Sequence, residues 1–180
     1  MSSYPAEWER HEQLRDGTRV LIRPIKGEDE TLYPAFRAAE TIKDTRHRFF
    51  GAVGSLSKES IARFTHLDYD RAMAFIAIAE ADGKMLGVVR LHRQEDLPET
   101  GEYAVIVRSD FKGRGLGRLL MQRMIEWAKA ARMSTITGLV LADNAEMLKL
   151  CVQLGFVTGD YLPDRDIKRV TLTLAAARLA

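Results

Sequence analysis

Residues 105 to 131 predict a β-strand that runs through a glycine-rich turn into a helix. Residues 105–107 are all β-branched, which is typical of a strand. Apolar residues from 116 to 131 recur at the spacing of a helix with one buried face. A strand and a helix joined in this way bury their apolar faces as stacked layers, so the segment predicts an α/β architecture.

The turn also has the properties of an anion-binding site. Gly113, Gly115 and Gly117 let backbone N–H groups converge without obstruction by Cβ atoms, and the following helix adds its positive dipole end. No Gly-Lys-Ser/Thr follows, so the turn is not a Walker A loop. The third glycine comes one residue too early for the dinucleotide-binding fingerprint. From the residues alone, a pyrophosphate site and a plain helix start with surplus glycines are both open.

Charge is unevenly distributed along the chain. Residues 108–123 hold five basic residues against one acid, a balance of +4, and residues 80–102 hold six acids against three bases, a balance of −3. The pattern fits either two solvated faces or an anion site beside a cation site. The whole chain has 27 Lys and Arg against 25 Asp and Glu, which is too balanced for a general nucleic-acid binder.

The remaining pattern predicts one mixed α/β domain over residues 14–180, preceded by a polar arm over residues 1–13. The predicted strands cover residues 19–25, 73–80, 85–92, 102–108, 135–141 and 167–174. Predicted helices begin near Gly27 and after Ser57 and cover residues 41–50, 116–131 and 145–154. For the last helix we expect Asp143 as the N-cap and Gly155 as the C-terminal stop.

Several kinds of chemistry are excluded by what the sequence lacks. A single cysteine, Cys151, excludes an intrachain disulfide and a multi-cysteine zinc site. The four histidines have neither metal-ligand nor triad spacing, and no Gly-x-Ser-x-Gly elbow is present. The longest apolar run, residues 72–79, is too short to cross a bilayer, and the first residues lack the apolar core of a signal peptide. We therefore expect a cytoplasmic protein without a metal, a membrane partner or a nucleic-acid partner.

Two motifs resemble the GNAT superfamily of N-acetyltransferases. Lys112-Gly-Arg-Gly-Leu-Gly resembles its acyl-CoA pyrophosphate loop, Gln/Arg-x-x-Gly-x-Gly/Ala, with Lys112 as a conservative replacement. The run from Asn144 to Phe156 resembles the helix that carries the second motif. Residues 14–25, 48–50, 68–71 and 86–91 further resemble the acetyltransferase domain of bacterial protein lysine acetyltransferases that modify acyl-CoA synthetases.

This resemblance implies a fold and a cosubstrate. The fold is a central mixed sheet splayed between the strands at about 102–108 and 135–141, and the cosubstrate is acetyl-CoA. Its pantetheine arm would pair with the strand backbone of Val105, Ile106 and Val107, and Asn144 would bond the same arm. The pyrophosphate would lie on the amides of the turn, formed by Lys112, Gly113, Arg114, Gly115, Leu116, Gly117 and Arg118.

Glu102 is the candidate catalytic residue. Strand alternation places it on one face with Ala104 and Ile106, and a charged residue on an apolar face is a local inconsistency that often marks function. An edge residue that points to solvent is the alternative from the pattern alone. The resemblance implies a catalytic glutamate at this position, acting as general base on the acceptor amine. Cys151 occupies the position of the tyrosine that many family members use as general acid, either as a proton donor or as a small buried residue.

Three functions fit the sequence. The first is an acetyl-CoA-dependent N-acetyltransferase that acts on a protein lysine. The second is the same chemistry on a small-molecule amine, because the acceptor site would lie in variable segments near residues 30–70. The third is a non-catalytic acyl-CoA sensor, against which the presence of Glu102 argues. A dimer is common in the superfamily, and the sequence leaves the oligomeric state open.

Overall fold

The predicted strands lie side by side in one sheet of the computed structural model, which describes residues 3–41 and 57–174. The strands are β1 (Arg10–Gln13), β2 (Arg19–Pro24), β3 (Ala72–Ala79), β4 (Met85–Arg93), β5 (Thr100–Val107), β6 (Thr135–Leu141), β7 (Val157–Asp160) and β8 (Ile167–Thr173). Their order in the sheet is β1-β2-β3-β4-β5-β6-β8-β7. Only the β5–β6 pair is parallel among the strand pairs of the described residues, so the sheet is mixed and the predicted α/β class is confirmed.

Four α-helices occur in the described part of the chain: α1 (Tyr33–Ala38), α2 (Lys58–Thr65), α3 (Leu116–Ala130) and α4 (Ala145–Gln153). The helix predicted from Gly27 begins as a 3₁₀ turn over Gly27–Leu32 and becomes α-helical only at Tyr33. Ser57 caps α2 as predicted, because its Oγ accepts a hydrogen bond from the Ser60 N–H at 3.2 Å. The helix predicted over residues 41–50 lies, except for Thr41, outside the described residues.

The N-cap predicted for α4 is wrong by one residue. Asn144, not Asp143, directly precedes the first helical residue, and its Oδ1 accepts a hydrogen bond from the Met147 N–H at 3.3 Å. A capping side chain reaches the amides two or three residues ahead, so Asp143 lies one residue too far from this helix. Gly155 ends the helix as predicted, with a φ of 94° that disfavours other residues.

The helices cover both faces of the sheet and so divide the core in two. On one face, α3 packs over β3, β4 and β5 and α4 contacts β7, with Leu116, Leu120, Met124 and Cys151 among the buried residues. On the other face, Tyr33 of α1 packs with buried residues of β3 and β4. Each central strand therefore buries side chains on both faces, which explains its nearly continuous apolar sequence.

Two strands at the ends of the sheet were not predicted. β1 lies within the segment expected to be an arm, and it pairs with β2 from Arg10 opposite Ile22 to Gln13 opposite Arg19. β7 pairs with β8 and is exposed along its length. Both strands have four residues and lack an apolar alternation, so only the open edge of the neighbouring strand determines that they form.

Strands β5 and β6 separate after a short paired stretch. They are joined only at Thr100–Thr135, Gly101–Ile136 and Glu102–Thr137, although β5 continues to Val107 and β6 to Leu141. No strand of the described residues pairs with residues 103–107 on the side that faces β6. The sheet is therefore splayed at the position expected from the sequence, and a row of backbone N–H and C=O groups faces the opening.

Candidate active site

A cavity of about 540 Å³ fills the opening between β5 and β6, and we call it the wedge cavity. Its walls are β5, the end of β6, the glycine-rich turn and α4. It is lined by Arg15, Glu102, Tyr103, Ala104, Val105, Ile106, Val107, Phe111, Lys112, Gly113, Gly115, Gly117, Arg118, Leu139, Val140, Asn144, Glu146, Met147, Lys149, Leu150 and Gln153. A concave site with an apolar strand wall and a few convergent polar groups is the usual form of a ligand site.

The glycine-rich turn forms one end of the wedge cavity. Gly113 and Gly115 have φ angles of 75° and 90°, in the left-handed region that favours glycine. Gly115 directly precedes α3 and has no side chain to cap it, so the first N–H groups of this helix have no capping partner from that residue. The turn and the helix N-terminus thus direct donors and a positive dipole toward the cavity.

The wedge cavity has an excess of positive charge. Four basic side chains line it, against the acids Glu102 and Glu146: Arg15, Lys112, Arg118 and Lys149. Arg15 lies about a hundred residues before the turn in the chain, yet its Nε is 3.5 Å from where a Cβ on Gly115 would lie. The Arg118 guanidinium donates a hydrogen bond to Gln153 of α4 and so links the two helices at the cavity mouth. This charge pattern complements a polyanionic ligand.

Two residues of the turn, whose amides are expected to bind pyrophosphate, direct their side chains away from the wedge cavity. The Leu116 side chain is buried in the core, at 1% exposure. The Arg114 side chain turns away, donates a hydrogen bond to Asp16 at 2.6 Å and stacks over the Phe111 ring at 4.5 Å. The Thr18 backbone N–H and then Arg114 lower the pKa of Asp16. Arg114 therefore links the turn to the loop before β2. The other five residues of the turn line the cavity: Lys112, Gly113, Gly115, Gly117 and Arg118.

Glu102 stands at the closed end of the wedge cavity, in the last residue pair before the strands separate. It is half-buried, and on its face of β5 the neighbouring Ala104 is exposed. Glu102 also lines a second cavity, together with Arg71, Ala72, His92, Arg93, Gln94, Glu95 and Asp96. The Glu102 carboxylate thus borders two spaces, one toward the glycine-rich turn and one toward the acidic β4–β5 connection.

Cys151 is completely buried, and the Tyr103 hydroxyl lies 3.1 Å from its sulfur. Burial raises the pKa of the Cys151 thiol and that of the Tyr103 phenol. Tyr103 was missed by the sequence analysis, because its apolar neighbours in β5 made it one more strand residue. The contact joins residues 48 positions apart, so no local pattern indicates it.

The match to a family model decides what kind of protein carries this site. Residues 37–156 match the model of the acetyltransferase (GNAT) family, two thirds of the chain. The chain belongs to the GNAT family of acetyltransferases. The matched range contains β5, the glycine-rich turn, α3, β6 and α4, so all residues that line the wedge cavity of this GNAT acetyltransferase, except Arg15, lie within it.

Individual relatives agree with the family match. Acetyltransferase PA5475 of Pseudomonas aeruginosa is 35% identical over 85% of this chain and 82% of its own. Acetyltransferase Pat of Mycolicibacterium smegmatis is 27% identical over 81% of this chain, which spans 43% of that longer protein. Among solved structures, the GNAT domain of S. lividans PAT superposes with a TM-score of 0.88 at 25% identity, covering 96% of this chain and all of that one.

Within residues 3–41 and 57–174, no group of three or more His, Cys, Asp or Glu side chains could hold a metal ion. None of the helices there is long and apolar enough to cross a membrane. The GNAT acetyltransferases share acyl transfer from a coenzyme A thioester, and the wedge cavity has donors and basic side chains suited to such a ligand.

Proposed function

We propose that this protein is a cytoplasmic enzyme that transfers the acetyl group of acetyl-CoA to the amine of a protein lysine. The observation that carries the proposal is the position of Glu102 between the wedge cavity and the second cavity. A carboxylate at this boundary can reach an acyl donor on one side and an amine on the other.

Two parts of the wedge cavity, the glycine-rich turn and the unpaired edge of β5, support the fit of acetyl-CoA. The glycine-rich turn has donors for the pyrophosphate, at residues 112–118. The unpaired edge of β5 at Val105, Ile106 and Val107 can pair with the amide groups of the pantetheine arm, as an added strand would. Asn144 lines the cavity beside this edge and can bond the arm through its side-chain amide. The basic residues at the mouth favour the phosphate groups.

Glu102 supplies the proton transfer in the proposed reaction. A lysine ammonium has a pKa of about 10.4 and must lose a proton before it can attack. Glu102 takes this proton directly or through one water molecule. The amine nitrogen then bonds to the acetyl carbon and the bond from that carbon to sulfur breaks. The nitrogen loses its extra proton to form the amide, and the CoA thiolate takes up one proton, so that the two transfers balance.

The second cavity supports a cationic amine as the acceptor. Its three carboxylates, Glu95, Asp96 and Glu102, outnumber the guanidinium groups of Arg71 and Arg93, and a net negative lining attracts a cation. The sequence resemblance to protein lysine acetyltransferases and the similarity to the GNAT domain of S. lividans PAT support a protein lysine as that amine.

The test measures thiol release from acetyl-CoA with two panels of acceptors. One panel contains lysine-bearing proteins, including an acyl-CoA synthetase, and the other contains amino acids, polyamines and other small amines. We expect release with a protein acceptor and acetyl-lysine in its tryptic peptides. Turnover only with small amines would contradict the acceptor class. Binding of acetyl-CoA without turnover on any acceptor would indicate a sensor, and no binding would overturn the proposal.

A further inference from the structure

The Tyr103 side chain closes the narrow end of the wedge cavity. Tyr103 follows Glu102, the last residue of β5 that pairs with β6, and it lines the cavity with only 7% of its surface exposed. Its ring therefore stands where the two strands begin to diverge, on the face of β5 opposite to Glu102.

Three contacts hold this ring in place. It lies against Gly138 of β6, where a Cβ would be 2.3 Å from the Tyr103 Cε1 atom. The Phe156 ring packs on it with a centroid separation of 5.6 Å. The hydroxyl meets the Cys151 sulfur at 3.1 Å, inside the core. A ring confined by a strand, another ring and a helix cannot give way to a ligand without displacing packed neighbours.

The proposed function brings the acyl group to this ring. With the pyrophosphate on residues 112–118, the arm runs back along β5 from Val107 toward Glu102. The four steps along the strand from Val107 to Tyr103 span about 13 Å. The thioester then lies beside Glu102 and Tyr103, and the acyl chain points toward the narrow end of the cavity.

We propose that Tyr103 is the end wall that restricts the acyl donor to a short chain such as acetyl. The inference rests on the proposed function, because it assumes that the wedge cavity binds an acyl-CoA. Each added methylene would have to push against a ring that is already packed on Gly138 and Phe156, and overpacking of this kind is unfavourable. An apolar pocket typically discriminates about 10- to 200-fold between two ligands that differ by one methylene group.

The test compares the affinities of CoA, acetyl-CoA, propionyl-CoA and butyryl-CoA by calorimetry, so that no acceptor is required. The wild-type protein should bind acetyl-CoA at least about tenfold more tightly than butyryl-CoA. Tyr103→Leu, which shortens the wall but keeps it apolar, should reduce this ratio about tenfold while CoA itself binds as before. Tyr103→Phe keeps the ring and should keep the wild-type ratio.

Each contrary result has its own meaning. If the wild-type protein binds acetyl-CoA, propionyl-CoA and butyryl-CoA equally well, Tyr103 does not limit the length of the acyl chain, whatever the variants show. If Tyr103→Leu binds CoA and keeps the wild-type ratio of acetyl-CoA to butyryl-CoA affinity, the proposal is also contradicted. A loss of this preference in Tyr103→Phe contradicts it as well, because that variant keeps the ring. Failure of the wild type to bind CoA overturns the proposed function, and this inference with it.

Discussion

The Tyr103 hydroxyl and the Cys151 sulfur lie 3.1 Å apart at the junction of β5 and α4. The sequence resemblance implies a tyrosine at the helix position that Cys151 occupies in this chain. In this chain the phenol comes from the strand instead, and the small thiol leaves room for it. The pair therefore ties α4 to the strand that lines the wedge cavity.

Cys151→Ala should retain most of the acetyl transfer activity and reduce stability. The thiol is buried and burial raises its pKa, so at neutral pH it is protonated and shielded from reagents. Its loss leaves the Tyr103 hydroxyl without its partner, which typically costs about 1–3 kcal/mol. Urea unfolding and steady-state kinetics measure the two effects. A loss of turnover of about a hundredfold would instead identify Cys151 as the proton donor.

Glu102→Gln should lower the maximal rate about a hundredfold or more, the usual scale for a lost general base, while the Kd for acetyl-CoA changes little. The remaining activity should rise with pH, because more acceptor lysine becomes free amine as the pH approaches about 10.4. Glu99→Gln is the matched control, since Glu99 is exposed and lines neither cavity. Wild-type turnover in Glu102→Gln at neutral pH would contradict the proposed role.

Gly115→Asp should abolish acetyl-CoA binding. The new carboxylate would stand at the helix N-terminus beside Arg15, in the space proposed for phosphate, and a negative charge there repels the ligand. Gly83→Asp is a control for backbone strain, because Gly83 also has a positive φ, of 71°, but lies in the β3–β4 hairpin with no atom near its missing Cβ. Calorimetry should show binding in the control only. Equal affinities of Gly115→Asp and Gly83→Asp for acetyl-CoA would contradict a phosphate site at this turn.

Arg118→Ala should weaken acetyl-CoA binding more than Arg114→Ala does. Arg118 lines the wedge cavity, and a lost charge-assisted hydrogen bond to phosphate is worth about 1.5–3 kcal/mol, or roughly 10- to 150-fold in affinity. Arg114 is already engaged with Asp16 and Phe111. The difference should shrink as salt is raised. The opposite order would mean that Arg114 leaves Asp16 when the ligand binds.

Asp29→Asn should lower the free energy of unfolding far more than a substitution that removes an exposed ion pair. Asp29 and Arg23 are both buried, and the guanidinium donates two hydrogen bonds to the carboxylate, at 2.6 and 2.8 Å. Removing one charge of such a pair typically costs about 3–5 kcal/mol. Asp160→Asn, at the exposed pair with Lys168, should cost less than about 1 kcal/mol. Similar unfolding midpoints for both variants would contradict this expectation.

Strands, helices and the glycine-rich turn were predictable because each has a local pattern. The β-branched run before Val107, the helical spacing after Leu116 and the glycines between them depend only on neighbours in the chain. The same holds for the cap at Ser57 and the stop at Gly155. The error at Asp143 is of a different kind, since two adjacent capping residues are equivalent in sequence and only the first turn of the helix chooses between them.

The composition of the site could be predicted in part. Glu102 and most of the residues expected to bind the cosubstrate line one cavity, although their roles remain predictions. Arg15 and Tyr103 were missed, and so was the turn of the Arg114 side chain toward Asp16. The reason is the same for all three: their partners are Gly115, Cys151 and Asp16, at least 48 positions away in the chain.

The sequence by itself determined the order of the six longer strands, the glycine-rich turn and the family to which the chain belongs, because these depend on short-range periodicity and on motifs of a few residues. Only the tertiary structure decided that β5 and β6 part after Glu102, that Glu102 borders two cavities, and that the Tyr103 ring fills the gap beside Gly138. These features arise from strand register and from the packing of side chains distant in sequence, which depend on how all the layers fit together.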